Sequence, residues 1–362
     1  MQMVDLVTQY NNLRPEMDEA IQRVLDSGYF IMGPELKAFE QEVADYLGAG
    51  YAIGCASGTD ALQIALMGLE IGPGDEVITT PFTFVATVEV IALLGAVPVF
   101  VDIDPVSYTI DPGAIEDAIT ERTKAVIPVH LYGQTSRMEE INAIAEKHGI
   151  AVIEDTAQAI GAQRHGKYAG TTGTVGCISF FPSKNLGAYG DAGMMMTNDG
   201  DLAEKLRMIT KHGSNVKYNH ELLGVNSRLD ALQAAILRVK LPHLDEWNRQ
   251  RAAIAENYKT GITAEEVGLP QTLEGNTHIY HQFSIQVPER DDFQAYLREK
   301  AIPTAIHYPI PLHKQPAFND IGRNTGVSIS EEVSEHIISL PIYPEMPEED
   351  QQLVIETVNS YF

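Results

Sequence analysis

The stretch Ser179-Phe180-Phe181-Pro182-Ser183-Lys184-Asn185-Leu186-Gly187-Ala188-Tyr189-Gly190-Asp191-Ala192-Gly193 sets one lysine in a run that is otherwise apolar, small or glycine-rich. The apolar residues 177–181 read as a buried strand, which Pro182 ends. Lys184 then falls on the turn beyond it, and Gly187, Gly190, Asp191 and Gly193 keep the backbone turning until a second apolar run at 194–197 leads the chain back. An ammonium group held at the end of a buried strand is costly unless something there uses it. Desolvation lowers a lysine pKa, and that is how Schiff-base lysines are made reactive. The plain alternative is a turn lysine that reaches solvent.

Other residues could work with it. Ser57-Gly58-Thr59-Asp60 stands where a strand hands over to a helix, and free N–H groups with the positive end of the helix dipole make such a junction an anion site. Gly58 lets the backbone come close, and Thr59 could equally be a simple N-cap. Asp155, in Glu154-Asp155-Thr156-Ala157-Gln158, ends another strand. Its carboxylate could cap a helix, ligate a metal or pair with a cationic ring nitrogen. No His/Asp/Glu cluster with ligand spacing accompanies it, which argues against metal. Gln158 could offer an amide to the same ligand. Phe84 begins the next helix at that edge, as an aromatic face or as core packing. Asn226 and Arg228 precede a long helix, where capping and a surface salt bridge are the plain readings. His307 and Tyr308 lie later in the chain, with histidine packing as the alternative. Together these residues supply a phosphate cradle, an aromatic face, a carboxylate and a lysine on one sheet edge. That set fits a planar, phosphorylated, pyridine-type cofactor bound through Lys184.

The elements that must position them follow from periodicity. Strand-like runs at 52–56, 76–79, 97–102, 125–131 and 151–154 alternate with helical periods at 60–69, 85–94, 112–119 and 138–148. Such alternation predicts an α/β fold with a mostly parallel sheet covered on both faces, and ligands gather at the carboxyl ends of its strands. Helices are expected at 14–27 and 35–47, with a loop between them that carries Tyr29 and Phe30. A long helix over 227–258 is expected to kink near Pro242, with capping-box spacing at Ser227 to Asp230. From about residue 261 the period changes to a strand at 278–287, a helix at 291–299, an extended piece at 303–308 and a closing helix at 348–361. We therefore expect a large cofactor-binding domain over 1–240 with an N-terminal helical segment, a linking helix over 241–260, and a small α+β domain over 261–362.

Composition narrows the partners. A formal net charge of −25 over 362 residues argues against nucleic acid, because duplex binding rests on lysine and arginine neutralising phosphates. No apolar run approaches the roughly 18 residues that a membrane span needs. Residues 1–10 lack the basic start and apolar core of a signal peptide. Cys55 and Cys177 sit in apolar runs and read as reduced packing residues, so a cytoplasmic protein is expected. The charge also sets a problem: an anionic substrate needs local cations, which screening over about 8–10 Å permits within an acidic protein.

With these residues in view, the chain resembles the DegT/DnrJ/StrS family of pyridoxal-phosphate sugar aminotransferases, of the fold type I aminotransferase superfamily. The resemblance spans essentially the whole length. It rests on residues 57–62 (Ser-Gly-Thr-Asp-Ala-Leu), 129–134 (Val-His-Leu-Tyr-Gly-Gln), 154–158, 183–187 and 224–230 (Gly-Val-Asn-Ser-Arg-Leu-Asp). It implies that Lys184 carries the pyridoxal 5′-phosphate, that Asp155 pairs with the pyridinium nitrogen, that Phe84 stacks on the ring and that Gln158 lies near the ring hydroxyl. It implies a phosphate site of Gly58, Thr59 and Ser179, joined by Asn226 from the partner subunit of a homodimer. Some relatives carry histidine at the lysine position and act as dehydratases; lysine here favours transamination. The Lys-Asn-Leu-Gly wording resembles members that aminate a 3-keto sugar on a nucleotide, with glutamate as donor. UDP-linked 3-keto-N-acetylglucuronate or a dTDP-3-keto-6-deoxyhexose is the expected acceptor. Arg228, His307, Tyr308 and Tyr29 are the expected substrate contacts. A dehydratase, a small-amino-acid transaminase and a silent cofactor-binding regulator are the alternatives on the same fold.

Overall fold

Eight strands form the central sheet of the computed structural model, which describes all 362 residues. In spatial order they are Tyr51–Cys55, Gly193–Thr197, Val175–Ser179, Ala151–Asp155, Thr123–Val126, Glu76–Thr79, Val97–Phe100 and Arg323–Asn324. All run parallel except Gly193–Thr197, which is antiparallel to both of its neighbours. The carboxyl ends of the other strands therefore share one edge. Period-two alternation fills both faces. Met195, Cys177 and Ile53 pack with the helices Gly58–Gly68 and Gly200–Ile209, while Met194, Met196 and Ile178 pack with Pro34–Leu47 and Ala231–Lys240.

The expected α/β architecture is the observed one, with boundaries moved by a few residues. Burial of the 125–131 run continues past its strand, which spans only Thr123–Val126; beyond it the chain leaves the ladder to bring Val129 and His130 beside Asp155. The long helix divides at the kink as expected, into Ala231–Lys240, a 3-10 turn Leu241–His243 and Leu244–Gly261. Its start differs. Asp230 is the N-cap, accepting from the Gln233 N–H at 2.8 Å. Ser227 instead ties this loop to the first βα junction, donating to Asp60 at 2.5 Å and accepting from the Ala56 N–H at 3.0 Å.

A second core gathers Ile254, Ala255 and Tyr258 from the helix Leu244–Gly261 with Phe283, Ile285, Phe293, Leu297, Leu340, Val354 and Val358. Its strands Phe283–Gln286 and Ile337–Leu340 pair antiparallel, covered by the helices Arg290–Glu299 and Glu348–Tyr361. Two exchanges cross between the cores. Arg323–Asn324 adds a parallel strand to the outer edge of the large sheet, and Val4 from the amino end packs on the second core. The expected strand over 278–287 is paired only from Phe283; residues before it leave the sheet and line the cavity described next.

Candidate active site

A cavity of about 500 Å³ opens at the carboxyl edge of the sheet. Gly58, Thr59, Phe84, Asp155, Gln158, Ser179, Lys184, His307 and Tyr308 all line it. Tyr29, Asn226 and Arg228 do not. A larger groove of about 780 Å³ lies elsewhere, between Pro34–Leu47 and the edge strand Tyr51–Cys55. Of its charged residues, Glu40 and Arg207 are paired to each other at 2.9 Å and Lys37 is exposed, so it lacks the buried, unpartnered lysine of the smaller cavity.

The anion end is built by the junction of Tyr51–Cys55 with the helix Gly58–Gly68. Ser57 caps that helix by accepting from the Asp60 N–H at 3.1 Å. The N–H groups of Gly58 and Thr59 find no acceptor in the chain and sit at the positive end of the dipole. Close approach explains two glycines. A Cβ on Gly58 would lie 2.6 Å from that of Ser179, and one on Gly193 would lie 2.2 Å from the Ser57 carbonyl oxygen.

Asp155 closes its strand at the opposite side of the cavity. Its backbone is pinned to residues 128–130, donating to Pro128 O at 2.9 Å and accepting from His130 N at 3.0 Å. Its neighbour Glu154, fully buried, accepts from His130 Nε2 at 2.8 Å and from the N–H groups of Gly170, Thr172 and Gly173. These bonds outweigh burial and hold the Glu154 carboxyl below its ordinary range. Asp155 itself accepts from Thr87 Oγ1 at 2.8 Å and from the Ala157 N–H at 3.1 Å. Burial nevertheless raises its pKa. A buried carboxylate with two neutral donors is completed by a cation, and a protonated ring nitrogen is one.

Lys184 follows Pro182 in a turn closed by its own N–H to Phe181 O at 2.8 Å. Its side chain has no hydrogen-bond partner and opens onto the cavity. Burial pulls its pKa down to about 8, against the negative charge of Asp155, which raises it. The rest of the loop is held from behind. Lys240, with no exposed surface, donates to Gly187 O at 2.7 Å with its ammonium 4.2 Å from the centre of the Tyr189 ring.

Phe84 is 56% exposed, so its ring faces the cavity rather than the core; Phe82 is the one that packs inside. Gln158 accepts from the Tyr132 N–H at 2.8 Å, which fixes its amide and turns Nε2 toward the Tyr308 hydroxyl at 3.1 Å. Burial keeps the Tyr308 phenol protonated and depresses His307 to about 4, helped by the Lys184 charge. His307 therefore brings no positive charge to an anionic ligand. Arg228 is half-buried without an ion-pair partner, and Tyr29, Phe30 and Ile31 are exposed at 65%, 47% and 51%. These two strips meet: Phe30 O accepts from Ala231 N at 2.9 Å and Ile31 pairs with Asp230.

Sequence reasoning passed over Thr83, Thr87, Ser183, Asp191, His281 and Gln282, which also line the cavity. Thr87 carried a usable signal, one helical turn beyond Phe84 and thus on the same face. His281 and Gln282 carried none, because their place depends on how the second core docks against the sheet.

This fold and site define a pyridoxal-phosphate enzyme of the aminotransferase class. The model of the DegT/DnrJ/EryC1/StrS aminotransferase family matches residues 11–359, and the chain belongs to that family. It is 52% identical to a pleiotropic regulatory protein of Geobacillus stearothermophilus over 99% of this chain and 98% of the relative. It is 48% identical to the UDP-2-acetamido-2-deoxy-3-oxo-D-glucuronate aminotransferase of Pseudomonas aeruginosa, over 95% of each chain. Among solved structures, Streptomyces venezuelae DesV in complex with a ketimine intermediate superposes with a TM-score of 0.97 at 43% identity, covering 99% of this chain and 98% of that one.

Proposed function

We propose that this enzyme moves an amino group from glutamate to C3 of a 3-keto sugar carried on a nucleotide. UDP-linked 3-keto-N-acetylglucuronate is the first choice of acceptor and a dTDP-3-keto-6-deoxyhexose the second. The observation that carries the reading is the convergence of Lys184, Asp155 and the free N–H groups of Gly58 and Thr59 on one cavity. The substrate choice is supported by the 3-oxo sugar named for the Pseudomonas relative.

The residues present fit the cofactor. Gly58 and Thr59 N–H groups with Ser179 would hold its phosphate, Phe84 would cover one face of the ring, and Gln158 would offer its amide near the ring hydroxyl. Asp155 would hold a proton on the ring nitrogen. When bound, pyridoxal phosphate supplies a carbonyl that takes up the amine and a ring that accepts the electrons left behind when a C–H proton departs. Lys184 does the proton work. With its pKa lowered to about 8 the free amine is far more available near neutral pH than in an ordinary lysine, so Nζ can take the proton from the donor α-carbon and later give one to the sugar carbon. General-base transfer of this kind contributes about 10²–10⁴ in rate. Half-reactions of this form give ping-pong kinetics.

The cavity of one chain holds Lys184 as its only cationic side chain. We place the remaining cation on a second copy: Arg228 and Asn226, with Tyr29, reach the partner's cavity in a homodimer, and arginine's planar fork suits a carboxylate or phosphate. The exposed apolar strip of Tyr29, Phe30 and Ile31, together with Tyr218 and Leu223 at 84% and 91% exposure, supports such an interface. We place the active dimer in the cytoplasm; no helix is long and apolar enough to cross a membrane.

The test is glutamate with a panel of 3-keto and 4-keto nucleotide sugars, the product carbon located by NMR. We expect amination at C3. Amination of 4-keto sugars alone would overturn the regiochemistry. A cofactor spectrum that ignores every amino donor would instead favour a silent cofactor-binding regulator, and a regulatory protein is what the Geobacillus relative is named.

A further inference from the structure

Asn185 directly follows Lys184, and its side chain begins a line of hydrogen bonds whose direction chemistry fixes. Its Nδ2 lies 3.2 Å from the Ile279 carbonyl oxygen and 2.7 Å from Asn248 Oδ1. A carbonyl only accepts, so the atom facing Ile279 is the amide nitrogen. Asn248 is oriented the same way, with Nδ2 donating to the Ile160 carbonyl at 3.3 Å. Asn185 Oδ1 is therefore an acceptor. The atom that faces it at 3.1 Å, His281 Nδ1, must carry the hydrogen. Asn185, Asn248 and His281 are 4%, 7% and 8% exposed, so this is a buried and mutually satisfied chain that holds one ring orientation.

With the hydrogen on Nδ1, neutral His281 keeps its lone pair on Nε2, and the ring lines the cavity. Burial, with the positive charge of Lys184 next in effect, holds the imidazole well below its ordinary range. Beside it, Gln282 also lines the cavity, and its Oε1 has no partner in the chain. On this wall His281 Nε2 thus presents an acceptor with no partner in the chain. It can receive an O–H group from a ligand, close to the lysine whose charge acts on it.

Building on the proposed sugar amination, we infer that His281 is a specificity-determining residue: Nε2 accepts a hydrogen bond from a sugar hydroxyl on a carbon adjacent to the one being aminated. Asn185 and Asn248 are positioning residues that hold the tautomer. A neutral hydrogen bond of this kind is worth about tenfold in discrimination.

Two measurements test this. Long-range ¹H–¹⁵N spectra of the cofactor-free wild-type protein should show His281 with its hydrogen on Nδ1, unchanged from pH 6 to 8; an Nε2–H pattern or an imidazolium at pH 7 would overturn the assignment. The second compares kcat/KM for a 3-keto nucleotide sugar and its analogue lacking the neighbouring hydroxyl. The wild type should prefer the hydroxylated sugar about tenfold. His281→Leu should erase that preference, and His281→Gln, which keeps an acceptor, should restore part of it. A preference that survives in His281→Leu would overturn the inference. A wild type that aminates neither sugar would overturn the functional reading and with it this choice of ligand, while the tautomer spectrum still decides the state of His281.

Discussion

In the proposed reaction Lys184 and Asp155 divide the chemistry, because the same burial acts on them with opposite sign. It lowers the lysine to about 8 and raises the carboxyl, while each charge partly offsets the effect on the other. Asp155→Asn keeps the shape and removes the charge. We expect kcat to fall on the order of 10²–10³-fold with the fold intact by circular dichroism, the usual loss when one electrostatic stabiliser is removed. Thr87→Val deletes a donor that lowers the Asp155 pKa. It should shift the pH profile of the bound cofactor's absorbance to higher pH, with a smaller loss of rate. Lys184 was legible in the sequence because a lone cation among apolar and glycine residues has few other uses. Asp155 was legible only beside it. Arg228, His307 and Tyr29 show the limit at this scale: residue type suggests a contact, but charge state and side-chain reach are set by the fold.

Among the elements, the turn after Val175–Ser179 is the one on which the site depends, and it is braced rather than merely shaped. Lys240 binds it from the helix Ala231–Lys240, and Gln233 Oε1 accepts from the Tyr189 N–H at 2.8 Å. Burial depresses the Lys240 pKa to about 7 from 10.5 in the unfolded chain. The folded state therefore binds fewer protons than the unfolded one between those values, and this group makes stability rise with pH across that window. Lys240→Met removes that contribution. Chemical denaturation at pH 7 and pH 9.5 should show a smaller gain with pH in the variant than in the wild type; equal gains would mean that Lys240 is not held as described. Gly193→Ala tests the close approach at the anion end. Its Cβ would meet backbone at 2.2 Å, and overpacking of this kind costs about 1–3 kcal/mol, read as a lowered Tm together with weaker cofactor retention. Periodicity gave the helices and parallel strands well. It missed the bracing, because Lys240 reads from sequence as an ordinary cation in a last helical turn.

At the scale of the whole molecule, an acidic chain presents an exposed apolar strip and an unpaired arginine away from its own cavity. The proposed homodimer would join these facts. Sedimentation should find a two-chain species, and Arg228→Ala should raise the KM for at least one anionic substrate while the cofactor stays bound. Unchanged KM values for both substrates would contradict the assignment of Arg228. The alternation of strands and helices predicted the sheet and its productive edge. It could not show that Arg323–Asn324 returns to that sheet or that His281 and Gln282 reach the cavity, because both depend on contacts between residues more than one hundred positions apart.

The proposed chemistry rests on a covalent bond between Lys184 Nζ and the cofactor, which borohydride reduction of the loaded protein followed by peptide mapping would locate. We expect a single reduced pyridoxyl label, on the peptide that carries Lys184. A label fixed on another lysine, or none from a fully loaded sample, would contradict it.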